Sequence, residues 1–241
     1  MTLAGRTAVV TGAAQGLGEA IAQALHARGT TVVVADIDAE GAERVASSLG
    51  ERGRAAEVDV RSRESVVALL DEAGRVDVLV NNAARTVSRP VWDIDQAEWD
   101  DVLAVNLRGV FFGCQVAGPR MREQGWGRIV NMASLAGQQG GAVAGAHYAA
   151  SKAGIVVLTK VLAADLASHG VTVNAVAPAA VRTPVFADMP PDRLEAARAR
   201  IPVGRFGEPH EVAELVAFLC SDEAGWITGQ VIHAEGGFLR S

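Results

Sequence analysis

Short runs of β-branched and other apolar residues alternate with helical periodicity along the whole chain. Thr7–Thr11, Thr31–Ala35, Ala55–Val60, Val76–Asn81, Arg128–Ala133, Val171–Ala177 and Val231–Ala234 read as strands. Between them, Leu17, Ile21, Ala24 and Leu25 share one helical face, and Val66, Leu69 and Leu70 share another. Trp99, Val102 and Leu103 open a longer helix that continues through Phe111 and Phe112, and Val212, Leu215, Val216 and Leu219 mark a helix near the end. Continuous apolar strands alternating with helices predict a parallel sheet of about seven strands, buried on both faces. The expected fold is therefore α/β, a doubly wound parallel sheet in a single domain over residues 1–241. No repeats or low-complexity linkers interrupt it.

One region breaks the alternation. Prolines at 184, 190, 191, 202 and 209 punctuate the stretch between the sixth strand and the last helix, and Asp192–Ile201 inside it has the pattern of a small arginine-rich helix. An insertion of this size at the carboxyl end of a strand is expected to act as a substrate lid, here over about 182–209.

Composition narrows the function. The 241 residues carry 22 basic and 28 acidic side chains, a net charge of −6, which argues against nucleic acid or an anionic membrane as a partner. Cys114 and Cys220 form no C-x-x-C and no cluster with histidine, so neither a disulfide scaffold nor a metal site is expected. The first residues run directly into a strand without a leader pattern, and a cytoplasmic location is expected. The two lysines against twenty arginines, with abundant Ala and Gly, suggest a GC-rich bacterial genome. Ile129–Ser151 is the longest charge-free stretch, but its Asn, Ser, Gln and His residues exclude a lipid-facing helix.

The first strand leads into Thr11-Gly12-Ala13-Ala14-Gln15-Gly16-Leu17-Gly18 and then a helix. Gly12 permits a tight turn, Gly16 lets backbone approach a pyrophosphate, and Gly18 allows close helix–strand packing. The helix start, with Gln15 and Leu17, offers unpaired N–H groups and a positive dipole to the phosphates. Asp36 follows the second strand, placed to accept hydrogen bonds from the adenosine ribose and to repel a 2′-phosphate. Positions 15 and 37 are Gln15 and Ile37, neither of them basic, so NAD(H) is expected rather than NADP(H).

Tyr148 is the only tyrosine in the chain, and Lys152 stands four residues later on a helix-compatible run. A phenol has an ordinary pKa near ~10, and a neighbouring ammonium moves it toward working range, a proton-transfer pair.

With these residues in place, the chain resembles the short-chain dehydrogenase/reductase family over essentially its whole length. The family's T-G-x-x-x-G-x-G is Thr11–Gly18, its N-N-A-G is Asn81-Asn82-Ala83-Ala84, and its Y-x-x-x-K is Tyr148 to Lys152. Its catalytic Asn and Ser fall at Asn106 and Ser134, and its P-G-x-V-x-T-P segment spans Pro178–Pro184. The resemblance implies a Rossmann-type fold in which Tyr148 is the general acid/base and Ser134 positions the substrate oxygen. Lys152 would hold the nicotinamide ribose and depress the Tyr148 pKa, and Asn106 would anchor a water linking Lys152 to solvent. Asp59 and Val60 would border adenine, and Asn82, Ala83 and Ala84 would meet the adenosine side. Val181 and Thr183 would bind the carboxamide, and Pro178 would also meet the cofactor. No metal is needed. Ala84 and Ala179 replace family glycines, tolerable unless φ is positive there. Ser134 lies fourteen residues before Tyr148, one more than the commonest family spacing, which places a bulge within Gln138–Gly145.

Candidate substrate residues are Gln138, Gln139, Val143, Ala144, His147, Phe186 and Met189, although a surface position at the helix start is the favoured reading for His147. A solvated face is favoured for Arg193, Arg198 and Arg200. The helices from Tyr148 and Trp99 are apolar nearly all round, which predicts pairing between subunits, and the resemblance points to a homotetramer. The expected activity is hydride transfer between NAD(H) and a small-molecule secondary alcohol or ketone. The alternatives are a 3-oxoacyl-thioester reductase, a role that usually draws on NADPH, and a non-catalytic dinucleotide-binding regulator.

Overall fold

The computed structural model describes residues 2–140, 144–183 and 191–239. Seven parallel strands form one sheet in the order β3-β2-β1-β4-β5-β6-β7. They are β1 (Thr7–Thr11), β2 (Thr31–Asp36), β3 (Gly53–Glu57), β4 (Val78–Asn81), β5 (Gly127–Met132), β6 (Val171–Pro178) and β7 (Val231–Ala234). The strand boundaries differ from expectation most at β3, which ends before Val58 and starts two residues early, at Gly53. Pairing with β2 decides this, because Val32↔Gly53 through Asp36↔Glu57 use up the length of β2.

Strand alternation divides the core into two layers. Ala8, Val10, Val32 and Val34 face one layer with α1 (Gly16–Ala27), α2 (Ala39–Ser48) and α9 (Pro209–Leu219). Val9, Val33, Leu79 and Ile129 face the other, which α3 (Arg63–Ala73), α5 (Gly109–Gln124) and α7 (Ala146–Leu166) cover. A helix on each side of continuous apolar strands is the doubly wound arrangement, with its crevice where β1 and β4 send their chains to opposite sides. The remaining helices are α4 (Gln96–Leu103), the short α6 (Ala136–Gln139) and α8 (Pro191–Ala199). A π-helical turn, Ala104–Arg108, joins α4 to α5 and buries Asn106. The joined helix Gln96–Gln124 is long and apolar enough to cross a membrane, yet its most apolar stretch is more than half buried in the fold.

A buried polar network fixes α5 and α7 against the sheet. Asn81 Nδ2 donates to Asn131 Oδ1 at 2.8 Å, and Asn131 Nδ2 donates to Thr159 Oγ1 at 3.0 Å. The Cys114 thiol approaches both amides, and burial pushes its pKa up to about 12, so it is an inert thiol. Asn131→Ala leaves the Asn81 amide only the weak Cys114 sulfur and takes the Asn131 donor from the Thr159 hydroxyl, and is expected to cost about 2–3 kcal/mol. Urea denaturation checks this, with a shifted midpoint and an unchanged slope.

Candidate active site

The crevice between β1 and β4 is built on close backbone approach. Thr11 Oγ1 accepts from the N–H groups of Asn82 (3.1 Å) and Ala83 (3.2 Å), and Asn82 Nδ2 donates to the carbonyls of Thr11 (3.0 Å) and Gly12 (2.8 Å). Gly12 has φ +65° and a Cβ there would stand 2.6 Å from Ala83 Cα, while a Cβ at Gly18 would collide with the Gly12 carbonyl. Gln15, at the N-cap of α1, makes no capping bond, so the first-turn N–H groups are left for a ligand. These features fit a dinucleotide pyrophosphate.

Asp36 stands beside this turn. Its two oxygens accept from Ala14 N (2.9 Å) and Asp38 N (3.1 Å), which holds the carboxylate at the rim of the glycine loop. Arg44, which the sequence reading passed over, reaches the same turn from α2 and donates to Ala14 O at 2.5 Å. Ile37 is exposed and Val60 is buried against Gly109. Asp59 is gripped by Arg61 at 2.8–3.1 Å, and that hydrogen bonding holds its carboxyl below the usual range.

Tyr148 enters from the first turn of α7, and its hydroxyl is hydrogen-bonded by Ser134 and by Thr86. Thr86 lies in the loop after β4, and nothing in its spacing had marked it. Burial disfavours the phenolate and raises the Tyr148 pKa despite those two hydroxyls. Lys152 is buried one turn on, its Nζ 5.6 Å from the Tyr148 ring centre and donating to Met132 O at 2.6 Å. Desolvation lowers its pKa to about 8. The expectation that Lys152 depresses Tyr148 is therefore not met in this state: the ammonium is spent on a carbonyl, and burial governs both groups.

Asn106 is buried in the π-helical turn beside the loop after β4. Its Oδ1 accepts from Arg85 N at 2.7 Å, and its Nδ2 donates to Arg85 O at 3.0 Å and to Ser151 Oγ at 3.2 Å. Ser151 in turn donates to the Tyr148 carbonyl at 2.7 Å. Asn106 thus clasps the loop after β4 to the Tyr148 helix and makes no direct hydrogen bond to Lys152. Ala84 and Ala179 are accommodated, since no described residue other than glycine has positive φ.

A cavity of about 650 Å³ joins these groups. Leu17, Asn82 and Ala84 form its crevice end, and Ser134, Tyr148 and Lys152 its polar wall. Pro178–Val181 and Thr183 come from the end of β6, and Ala197, Arg200 and Phe238 close the far side. The Arg200 guanidinium lies 5.2 Å over the Phe238 ring; this arginine is exposed, as the solvated-face reading expects, and also borders the cavity. Arg198 instead pairs with Glu195, and α8 matches the expected small helix. Of the candidate substrate residues, Gln139 and Ala144 line the cavity, whereas Gln138 is exposed and off its wall. His147 corrects both readings given to it, being fully buried and off the wall, because its ring turns toward α4. Val143, Phe186, Met189 and part of the expected bulge lie outside the described residues.

Comparison with known proteins agrees with this geometry. Residues 12–239 match a family model described as enoyl-(acyl carrier protein) reductase. The chain is 40% identical to the 3-oxoacyl-[acyl-carrier-protein] reductase FabG of Vibrio cholerae, covering 98% of both chains. It is 39% identical to the FabG of Thermotoga maritima over 99% of this chain and 100% of the relative. The crystal structure of 3-oxoacyl-[acyl-carrier protein] reductase from Brucella melitensis superposes with a TM-score of 0.93 at 36% identity, covering 98% of this chain and 92% of that one. The chain belongs to the short-chain dehydrogenase/reductase family. It is an oxidoreductase of that family, whose members work with nicotinamide dinucleotides.

In this short-chain dehydrogenase/reductase, the lone tyrosine allows the site to be read directly. Near-ultraviolet tyrosinate absorbance reports Tyr148 alone, and without cofactor it is expected to titrate above the ordinary phenol value of ~10, because burial penalises the anion. A midpoint at or below that value would contradict the burial account.

Proposed function

We propose that the protein is an NAD(H)-dependent reductase of 3-oxoacyl thioesters. Full-length similarity to 3-oxoacyl-[acyl-carrier-protein] reductases is the observation that carries the substrate class. A largely apolar cavity running from Tyr148 to Phe238 supports it, since an acyl chain and its thioester arm need such a wall. The sequence alone had favoured a simple alcohol or ketone with the thioester as alternative; the relatives reverse that order.

When bound in the crevice, a reduced nicotinamide supplies the hydride to the keto carbon. The chain's own groups manage the oxygen. Ser134 and Tyr148 donate hydrogen bonds to the carbonyl, which polarises it and fixes its distance from the phenol. As negative charge grows on that oxygen, Tyr148 passes it the hydroxyl proton and the product alcohol forms. The raised pKa of the resting phenol suits this direction, because it stays protonated through neutral pH. Lys152, once turned from the Met132 carbonyl toward the nicotinamide ribose, would bring its charge to the resulting phenolate, and Asn106 holds the Tyr148 helix through Ser151.

Asp36 supports NAD(H). Its carboxylate, held at the rim of the glycine loop, would repel a 2′-phosphate there, and Arg44 is already engaged by Ala14 O and by Glu19 at 3.7 Å. The segment 182–209 would act as the lid, with Ala197 and Arg200 on its cavity side. Exposed Trp99, Phe111, Val157 and Val161 on α4, α5 and α7 support a homotetramer, for which sedimentation is the test. Asp36 also favours a second reading, an NAD-dependent secondary alcohol dehydrogenase. A Sinorhizobium meliloti structure provisionally described as a short-chain alcohol dehydrogenase superposes on the whole chain, at 38% identity and a TM-score of 0.92.

An acetoacetyl thioester is expected to be reduced with NADH, and faster than simple ketones; the reverse order favours the second reading. Tyr148→Phe should lower turnover by about a thousandfold or more while NADH still binds. Asp36→Ala should cut the preference for NADH over NADPH about tenfold or more, and a wild type preferring NADPH would overturn the cofactor assignment.

A further inference from the structure

His147 immediately precedes the phenol, and its ring is fully buried between α7 and α4. Its Nδ1 lies 2.8 Å from the Tyr148 backbone nitrogen and its Nε2 lies 3.2 Å from Glu98 Oε1. A backbone N–H only donates, so Nδ1 presents its lone pair and the ring's one hydrogen sits on Nε2, pointing at the carboxylate. Glu98 is fixed in turn: Arg89 grips it at 2.9 and 3.2 Å, and it stands in the first turn of α4, where Asp95 caps its N–H at 2.8 Å.

The start of α7 explains why such a group is required. The first-turn N–H groups of a helix have no internal partner, and the N-cap here is Gly145, which has no side chain to offer. A Cβ at Gly145 would stand 2.5 Å from the imidazole, so the glycine that removes the ordinary cap also admits the ring that replaces it. Gly145 N itself donates to Val87 O at 2.9 Å, in the same loop that carries Thr86. The Tyr148 N–H is thus held by His147, and the start of its helix by the loop whose Thr86 meets the Tyr148 hydroxyl.

We propose that His147 is a positioning residue for the reaction, accepting the Tyr148 N–H and anchored by Glu98, so that the phenol is held in register with Ser134 and Thr86. The inference rests on the reading of Tyr148 as the proton donor and adds to it a device outside the cavity. Its Nδ1 is the atom that matters. Asparagine places an amide oxygen near that atom, whereas glutamine reaches the Nε2 position and leaves the Tyr148 N–H unpaired.

The test compares His147→Ala, His147→Asn and His147→Gln. In the Ala and Gln variants kcat is expected to fall roughly tenfold to a hundredfold, with KM for NADH within about twofold of wild type. The Asn variant should keep most of the wild-type kcat. Tyrosinate absorbance, read without cofactor or substrate, should move toward the ordinary phenol range in the Ala and Gln variants and stay at the wild-type position in Asn. Asn and Gln variants alike in both readouts would overturn the proposal, as would wild-type kcat and titration in His147→Ala. If the Ala variant does not fold, the Asn–Gln comparison decides. The titration follows the phenol whatever its role, so a Tyr148→Phe enzyme that stayed active would sink the donor assignment without touching the His147 result.

Discussion

Everything in this molecule hangs on the join between the ends of β1 and β4. Thr11 and Gly12 on one side and Asn82 and Ala83 on the other exchange four hydrogen bonds of 2.8–3.2 Å. The chain leaving β1 turns toward β2 while the chain leaving β4 turns toward β5, and this clasp carries the β1–β4 pairing past the last registered pair, Val10↔Val80, to the point where the chains diverge. Closing the join so tightly leaves no room for a Cβ at Gly12 or Gly18. The same closeness turns the first N–H groups of α1 outward into the crevice, so one packing constraint produces both the fold's centre and its anion site.

The reacting groups are governed by burial more than by each other. Burial raises the Tyr148 pKa and lowers that of Lys152, which keeps the phenol protonated and leaves the amine poised at about 8. Lys152 is held by the carbonyl of Met132, at the end of β5, so the strand and α7 are tied through the charged group itself. Position is secured from outside the cavity, by Asn106 through Ser151 and by the contacts at the start of α7.

The sequence was most informative where a residue's duty is local. The glycine turn, Asp36 and the Tyr148–Lys152 spacing could be placed because each depends on its own element, and the structure puts them around one crevice and one cavity. Contacts between elements were not legible. Periodicity identifies the face of a helix but not what the neighbouring loop brings to it, so Thr86, Arg44 and the Glu98 partner of His147 went unseen. His147 misled for the same reason, since a polar residue at a helix start reads as solvated until α4 is known to cover it. The β3 boundaries shifted because the length of β2, and not local propensity, sets the pairing.

The order of the strands has a consequence for the chain while it is being made. β1 through β4 can pair early, yet β5 stays an open edge until β6 emerges, and the two share six registered residue pairs from Gly127↔Val171 to Met132↔Val176. Ile129 and Val130 are buried in the finished sheet, so a chain stalled or cleaved before residue 171 leaves that apolar strand open on its β6 side. The same fragment lacks Pro178, Val181 and Thr183, and with them one wall of the cavity. Assembling one site from so many strand ends therefore leaves the apolar edge of β5 bare for a long interval during synthesis.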